Sequence, residues 1–397
     1  MEITTGFECG NGKNIRRVAE NEFVMETDGS DPHYSFYFYF KVTGDEKQHE
    51  VTITVLPDSE YARAEPDLFN DDRPSVLWIR KDSFGWTRMN HHWVFVDTSS
   101  FQVEKSRYTI RLRIDPHTEV EVSNMLPLPY SAMCGWLRDL QRSWSDMLKV
   151  TEVGRSEQDR PMLGLQLNDA TAVPDRGRKQ RMFVFAGEHA AEFAGQWAVK
   201  GLIEFVLSSV HEAQELRRNW EMLFVPQANP DGNVLGKLHN VNKVNLHLDY
   251  CQEEGRLRPK SKEAGALWKR AVSYQPDLCL CVHTFIGPLL SADPPYEGLY
   301  VPDLSCFADE EARRRQQRAD DHLIWYTDAS PFWGRDELLK KTDQDTLVSR
   351  LASQQGTMGC VFEPNMSVGE TGCKRSMLKV VRALVAGFEP YEADRNR

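Results

Sequence analysis

The sequence lacks the features that mark several classes of protein. Its eight cysteines include no Cys-x-x-Cys pair, which argues against a disulfide framework and against a zinc ribbon. No apolar run approaches the roughly 20 residues that a membrane-spanning helix requires. The first residues, MEITTGFECGNGKNIRR, lack the basic and then apolar layout of a signal peptide. These absences predict reduced thiols, no membrane segment and a cytoplasmic location.

Positive charge is also scarce. Lys and Arg together number 48 against 59 Asp and Glu, which gives a formal net charge of −11. A negative field of this kind repels polyanions at long range, so nucleic acid is not an expected partner. The one basic cluster, EEARRRQQR at 310–318, is flanked by acidic residues and is typical of a solvated helix face.

The first part of the chain has the pattern of β-structure. Residues 34–42, YSFYFYFKV, alternate between two faces, as a half-buried strand does. Runs at 50–56, 75–80, 92–97 and 108–114 repeat this pattern between clusters of turn residues. Their spacing predicts an N-terminal antiparallel β-sandwich domain over residues 1–125.

The pattern changes after Pro127 and Pro129, where regular structure is interrupted. Helix-period segments now alternate with short apolar runs, and these runs are continuous enough for strands covered on both faces. Residues 126–397 are therefore predicted to form an α/β domain with a central mixed sheet flanked by helices. Its strands are expected at 164–167, 181–187, 221–227, 278–283 and 358–363, and its helices near 131–148, 192–209, 262–274, 307–325, 342–354 and 371–387.

Polar side chains follow several of these predicted strands. His189 and Glu192 come after one strand, His283 ends another, and Glu363 ends a third. In open α/β sheets, ligands bind at the carboxyl ends of the strands. A catalytic zinc ion commonly has two His ligands, one Glu ligand and one open position. The first three residues would make such a set, and Glu363 could then act as a base.

Each of these residues also has a simpler explanation. Taken alone, His189 and Glu192 are compatible with a helix N-terminus that carries a favourably placed acid. His283 is compatible with a hydrogen-bonded core histidine, and Glu363 with a solvent-facing acid at the end of a strand. The local sequence leaves both explanations open.

Four ordered motifs together resemble the zinc carboxypeptidase family, the carboxypeptidase A-like metallopeptidases. They are GEHAAE at 187–192, NPDG at 229–232, the histidine of CVHTF and the glutamate of CVFEPN. The β-rich first part, with LPLPYSAM after it, resembles the cytosolic carboxypeptidase branch, whose members carry an N-terminal β-sandwich.

This resemblance implies a function and a role for each matching residue. It implies that His189, Glu192 and His283 bind one zinc ion and that Glu363 is the general base that activates water. The implied reaction is hydrolysis of a C-terminal amide bond in a peptide or protein tail. In the cytosolic branch the residues removed are typically glutamates.

The sequence departs from the family pattern after NPDG. There the family has an arginine for the oxyanion and a DLNR-like segment that binds the terminal carboxylate of the substrate. Here residues 236–250 read GKLHNVNKVNLHLDY. His239 falls near the first arginine, and His247 with Leu248 or Asp249, depending on the alignment, replaces the Asn-Arg pair.

Three explanations of this departure are open. Arg256 or Arg258, in EEGRLRPK, supplies the planar fork that suits a carboxylate. Alternatively, His239, His247 and Asp249 shape a pocket for a different amide or ester. In the third explanation the protein keeps the metal and has lost the reaction.

Overall fold

The computed structural model of the chain describes residues 1–29, 37–64, 77–83, 93–96, 101–104, 107–175, 177–253, 256–285, 297–328 and 340–387. Parts of three predicted strands, at 34–36, 75–76, 92 and 97, lie outside the described residues.

The first part of the chain forms two five-stranded sheets. Their orders are β1-β4-β10-β6-β7 and β2-β3-β5-β9-β8. Neighbouring strands are antiparallel except for β3 and β5, which are parallel. The elements are β1 (Glu2–Thr4), β2 (Lys13–Ala19), β3 (Glu22–Glu26), β4 (Tyr39–Thr43), β5 (His49–Leu56), α1 (Ser59–Ala64), β6 (Leu77–Ser83), β7 (Val94–Val96), β8 (Phe101–Glu104), β9 (Arg107–Ile114) and β10 (Thr118–Ser123).

The two sheets enclose one apolar core. Along β5 the side chains of Val51, Ile53 and Val55 are buried, and the residues between them are more exposed. They belong to the same core cluster as Phe40 of β4 and Val122 of β10, which lie in the other sheet. The alternating pattern thus becomes a sandwich of two sheets, and the predicted fold of this part is confirmed.

The second part is built on an eight-stranded mixed sheet of order β11-β12-β14-β13-β17-β20-β18-β19. The strands β14, β13, β17 and β20 run parallel at its centre. The strands are β11 (Leu148–Arg155), β12 (Pro161–Leu167), β13 (Gln180–Ala186), β14 (Trp220–Val225), β15 (Gln252–Glu253), β16 (Arg256–Leu257), β17 (Leu278–Val282), β18 (Gly298–Val301), β19 (Lys340–Lys341) and β20 (Met358–Glu363), with β15 and β16 forming a separate hairpin. The helices are α2 (Tyr130–Ser143), α3 (Phe193–Val206), α4 (His211–Asn219), α5 (Pro230–Val234), α6 (Lys262–Tyr274), α7 (Glu310–Asp328), α8 (Leu347–Gln355) and α9 (Gly369–Gly387).

Both faces of this sheet are covered, as its continuous apolar strands predict. Alternate residues of β13 enter different cores because successive side chains of a strand point to opposite faces. Met182, Val184 and Ala186 pack with residues of α3 and α9. Phe183 and Phe185 pack with residues of α6 and α8 on the other face. The α/β fold with a central mixed sheet is therefore confirmed.

Helix α3 packs closely against the end of β17. A Cβ atom at Gly195 would lie 2.4 Å from the carbonyl oxygen of His283 and 2.6 Å from that of Val282. The backbone N–H of Gly195 donates to Thr284 Oγ1 at 3.2 Å. Only a glycine permits this approach, which brings the first turn of α3 to the carboxyl edge of the sheet.

The two parts of the chain share contacts and one core. Cys9 Sγ donates to Asn233 Oδ1 at 3.3 Å, and Asn11 Nδ2 donates to the carbonyl oxygen of Gly236 at 2.8 Å. Tyr37 and Tyr39 belong to the same apolar cluster as residues of α3 and the central sheet. The division of the chain at 125/126 stays a prediction.

Some elements differ from the sequence-based expectations. Helix α2 ends at Ser143 rather than at 148, because β11 begins at Leu148 and pairs with β12. Helix α4 was not predicted; it is short, and few of its side chains are buried. Strand β18 was not predicted either, because it is only four residues long and follows a proline-rich segment. Among the described residues, no helix has the combination of length and apolar composition that crossing a membrane demands.

Candidate metal centre

Two neighbouring parallel strands end side by side at this centre. Ala186, the last residue of β13, is paired with Val282, the last residue of β17. The residues that follow therefore leave the sheet at the same edge. After β13 the chain turns at Gly187, whose φ of 77° is in the left-handed region that favours glycine. The loop after Gly187 carries His189 towards His283.

Three buried side chains converge at this edge. His189 Nδ1 lies 3.0 Å from Glu192 Oε1, and His283 Nδ1 lies 2.9 Å from Glu192 Oε2. The exposed fractions of His189, Glu192 and His283 are 8%, 2% and 3%. The structure thus brings together the three residues that the sequence predicts as metal ligands.

The remaining polar atoms of these residues orient them. His189 Nε2 lies 2.9 Å from Asn245 Oδ1. An amide oxygen accepts hydrogen bonds, so in the neutral tautomer of His189 the proton is on Nε2, and the unprotonated Nδ1 faces Glu192. The backbone N–H of Thr284 donates to Glu192 Oε2 at 3.0 Å, which holds the carboxylate in place.

This arrangement fits a zinc ion. Zinc takes His nitrogen and carboxylate oxygen at about 2.0–2.2 Å, which places the ligand atoms of a tetrahedral site about 3.4 Å apart. The Nδ1 atoms of His189 and His283 already lie 3.0 and 2.9 Å from the oxygens of Glu192. The three residues rank among the buried groups that can hold a metal ion in the described part of the chain.

The charge of Glu192 is stabilised within the protein. Burial alone would raise the pKa of its carboxyl group, but the adjacent His189 and His283 outweigh this effect. They hold the pKa of Glu192 well below its usual range. Glu192 is therefore a carboxylate at neutral pH, as a metal ligand must be.

Glu363 lies beside His283 on the next strand. Strands β17 and β20 are parallel and pair Val282 with Phe362, so the following residues, His283 and Glu363, are neighbours. On its other side, Glu363 faces Gly298 of the antiparallel strand β18. A Cβ atom at Gly298 would lie only 2.6 Å from Glu363 Oε2. Gly298 therefore leaves the space that the carboxylate of Glu363 occupies.

Tyr300 follows on the same strand as Gly298. Its side chain is half-buried. Burial, with a further contribution from the negative charge of Glu363, raises the pKa of Tyr300 to about 12. The phenol of Tyr300 is therefore neutral and remains a hydrogen-bond donor next to Glu363 at physiological pH.

Two of the predicted substrate-binding residues lie next to the metal centre. The ring centroid of His239 is 6.2 Å from that of His189, and His239 is buried. The ring centroid of His247 is 5.7 Å from that of His189 and 4.4 Å from that of His283. Both histidines are close enough to contribute to a pocket around the metal.

The other predicted substrate-binding residues are placed differently. The carboxylate of Asp249 accepts hydrogen bonds from the backbone N–H groups of Lys260 and Ser261 and from the hydroxyl of Ser261. Its oxygens therefore hold the segment before α6 rather than face a pocket. Arg256 and Arg258 are exposed in and just after the hairpin β15–β16, outside the buried histidine cluster.

The NPDG motif supports the loop that carries His189. Asn229 Oδ1 accepts from the backbone N–H of Gly232 and caps helix α5. Its Nδ2 donates to the carbonyl oxygens of Glu188 and Leu238, at 3.3 and 3.4 Å. The buried Asp231 accepts from Arg160 Nη1 at 2.6 Å. Through these contacts the motif holds the loop of His189 in place behind the metal centre.

Three further residues of the centre were not predicted as site residues from the sequence. They are Glu188, which immediately precedes His189, Asn245, which orients it, and Tyr250, whose hydroxyl donates to Glu188 Oε1 at 2.7 Å. The available signal was an acid next to a candidate ligand, and a His and a Tyr three positions apart at 247 and 250. Neither pattern indicates a contact until the chain is folded.

Comparison with known proteins supports the same interpretation. Residues 133–253 match the zinc carboxypeptidase family. The chain is 26% identical to cytosolic carboxypeptidase 2 of Xenopus tropicalis over 253 residues, which are 59% of this chain and 25% of that protein. It is 22% identical to cytosolic carboxypeptidase 6 of Caenorhabditis elegans over 252 residues, which are 62% of this chain and 54% of that protein. The match thus spans about a quarter to a half of the length of these relatives.

Solved structures match over almost the whole chain. A metallo-carboxypeptidase from Burkholderia cenocepacia superposes with a TM-score of 0.74 at 18% identity, covering 98% of this chain and 100% of that one. A metallo-carboxypeptidase from Pseudomonas aeruginosa, in complex with (2-guanidinoethylmercapto)succinic acid, gives 0.72 at 18% identity and covers 100% of both chains. Their common fold includes both the β-sandwich and the mixed sheet.

Proposed function

We propose that this chain, which belongs to the zinc carboxypeptidase family, is a zinc-dependent hydrolase that cleaves the C-terminal amide bond of a peptide or protein. In this proposal His189, Glu192 and His283 hold one zinc ion. The observation that carries it is the convergence of two imidazole Nδ1 atoms on the two oxygens of one buried carboxylate, at 3.0 and 2.9 Å.

The residues around this centre suit hydrolysis of an amide. Zinc, when bound, supplies Lewis acidity that polarises a carbonyl group and makes water a nucleophile at neutral pH. Glu363 is the base in our proposal: it takes a proton from the attacking water and passes it to the leaving amine. Its place on β20, directly beside His283, supports this role.

The substitution Glu363→Gln tests the proposed base. The variant keeps the size of the side chain but accepts no proton, so we expect kcat to fall by about 100-fold to 10,000-fold. Zinc content, measured by mass spectrometry of the metal, should stay at one ion per chain. Glu253→Gln, at an exposed position of β15, is the matched control and should keep wild-type turnover. Wild-type turnover in zinc-loaded Glu363→Gln would refute the assignment.

Recognition of the free C-terminus is a separate part of the proposal. His239 and His247 lie beside the metal ligands, whereas Arg256 and Arg258 are on the surface. A pair of peptides, one with a free terminal carboxylate and one amidated, separates the possibilities. Cleavage of the free peptide alone supports a carboxypeptidase, and equal cleavage of both argues against carboxylate recognition. If Arg256→Ala or Arg258→Ala raises the KM for the free peptide but not for the amidated one, the substituted arginine is the one that binds the terminal carboxylate.

The preference for glutamate and the cytoplasmic location stay predictions. Relatives of the chain are named cytosolic carboxypeptidases, which supports the cytoplasmic location. Peptides that differ only in their last residue, glutamate against leucine, would test the first prediction. Imaging of the tagged chain in its own cells would test the second.

A further inference from the structure

Glu188 is a buried acid that lies next to the metal centre and has no role in the proposed reaction. Only 1% of it is exposed. Its Oε2 lies 3.0 Å from His247 Nδ1, 3.4 Å from Cys281 Sγ and 3.5 Å from His283 Nε2. Its Oε1 accepts a hydrogen bond from the hydroxyl of Tyr250 at 2.7 Å. Four side chains, two from residues 247–250 and two from the end of β17, thus surround one carboxylate.

These four groups match the needs of a buried carboxylate. An ionised carboxyl group has about four lone-pair positions, and each neighbour of Glu188 can supply one proton. A buried carboxylate without such neighbours would destabilise the protein, because burial removes its hydration. The surrounding donors therefore explain why Glu188 is tolerated there.

The contact with His283 has a consequence for the metal. His283 Nδ1 faces Glu192, and its Nε2 has no hydrogen-bond partner within the described part of the chain. Glu188 Oε2 lies 3.5 Å from this Nε2, and its negative charge favours the proton on Nε2, which leaves the Nδ1 lone pair for zinc. Histidine ligands of metals commonly donate their second ring N–H to a carboxylate, and the partner fixes the ring.

Glu188 Oε2 also contacts His247, which is one of the predicted substrate-binding residues. His247 is one of the residues beside the metal, and its Nδ1 is the closest neighbour of Glu188 Oε2. We propose that Glu188 is a positioning residue whose Oε2 fixes the ring orientations of both His283 and His247. This inference rests on the proposed role of His283 as a zinc ligand. It makes the metal ligand and the substrate pocket dependent on one carboxylate.

The same side chains suggest one competing interpretation. Glu188, His247, Cys281 and His283 offer ligand atoms that all lie within 4.8 Å of one another, so they form a candidate site for a second metal ion. In that case His283 would bridge two ions and lose both ring protons, and Cys281 would lose its own proton. The hydrogen-bonded arrangement needs no such loss of protons, so it is favoured.

Glu188→Gln tests the inference in the full-length, zinc-loaded protein. Glutamine keeps the size of the side chain but presents an amide group with its own N–H donors to His283 and His247. We expect the zinc dissociation constant, measured by competition with a chelator, to rise by about 10-fold to 100-fold. The visible absorption spectrum of the cobalt-substituted protein should change because His283 is reoriented. We also expect a higher KM, because His247 is released.

Two controls separate positioning from a general effect on folding. Glu263 is also a buried glutamate with hydrogen-bonded oxygens, far along the chain in α6, so Glu263→Gln should keep the wild-type zinc affinity and cobalt spectrum. Tyr250→Phe removes only the donor to Oε1. It should lower stability while the zinc dissociation constant stays within about threefold of wild type, because the contacts of Oε2 remain.

The outcomes distinguish the inference from the proposed function. If the wild-type protein binds no zinc, the proposed function fails, and this inference fails with it. If wild type binds zinc and Glu188→Gln binds it equally well with an unchanged cobalt spectrum, only this inference is overturned. A second zinc equivalent that disappears in Cys281→Ser would also overturn it. If Glu188→Gln does not fold, Glu188→Asp, which has a shorter side chain, replaces it in the test. Wild-type zinc affinity in Glu188→Asp would then overturn the inference.

Discussion

At the scale of single residues, Gly298 sets the space available to the proposed base. A Cβ atom there would lie 2.6 Å from Glu363 Oε2 and 3.1 Å from Glu363 Cβ. Gly298→Ala should displace the carboxylate and lower kcat by about 10-fold to 100-fold, because misplacement by about 1 Å is costly in catalysis. Zinc content should not change. Gly265→Ala, in α6, meets no atom within 4 Å and is the control; full activity in Gly298→Ala would show that Glu363 is not confined in this way.

Also at the residue scale, Glu297 should make stability depend on pH. Burial raises the pKa of Glu297 to about 7, from a usual value of 4.5. A raised pKa means that the folded state favours the neutral form, so this contribution to stability is present below about pH 4.5 and is lost as the pH rises to 7. Relative to wild type, Glu297→Gln should therefore gain up to about 3 kcal/mol in free energy of unfolding between pH 4.5 and pH 8. Denaturant titrations at several pH values measure this difference, and a constant difference would refute the prediction.

At the scale of secondary-structure elements, the metal centre depends on the contact between α3 and β17. Glu192 immediately precedes α3, and His283 immediately follows β17. Gly195→Ala would place a Cβ atom 2.4 Å from the carbonyl oxygen of His283, so the helix must move away. We expect the distance between Glu192 and His283 to increase and the zinc dissociation constant to rise by about 10-fold or more.

The matching control for this contact is Gly135→Ala in α2. A Cβ atom at Gly135 meets nothing within 4 Å, so the zinc affinity should stay at the wild-type value. Chelator competition on both variants provides the measurement. Equal zinc affinity in Gly195→Ala and wild type would mean that the centre tolerates movement of the helix.

At the scale of the whole molecule, the β-sandwich and the α/β part should unfold together. Asn11 is buried, and its Nδ2 donates to the carbonyl oxygens of Asp28 and Gly236, at 2.9 and 2.8 Å. Asn11→Ala removes both hydrogen bonds and should lower the free energy of unfolding by about 1–3 kcal/mol. The exposed Asn168→Ala should change it by less than about 0.5 kcal/mol. Two separate unfolding transitions, with only the first one shifted, would contradict a shared core.

The motif residues and most of the regular secondary-structure elements could be predicted from the sequence. The strands that carry His283 and Glu363 are short, continuous and apolar, and their predicted ends lie within a residue of the observed ends. Strand β18 escaped prediction because four residues after a proline-rich segment carry little periodicity. This strand is important because it carries Gly298, and the role of Gly298 is evident only from its position opposite Glu363.

The sequence by itself determined the two kinds of fold, through the two-residue apolar period of the first part and the helical periods and continuous apolar runs of the second. It also determined the set of candidate zinc ligands, through side-chain chemistry at strand ends. Only the tertiary structure decided the roles of the groups around that set. Glu188 contacts His247, Tyr250 and Cys281 across 59, 62 and 93 positions of the chain. Such contacts depend on the order of strands in the sheet and on the crossing of helices over it. Local sequence patterns do not specify either.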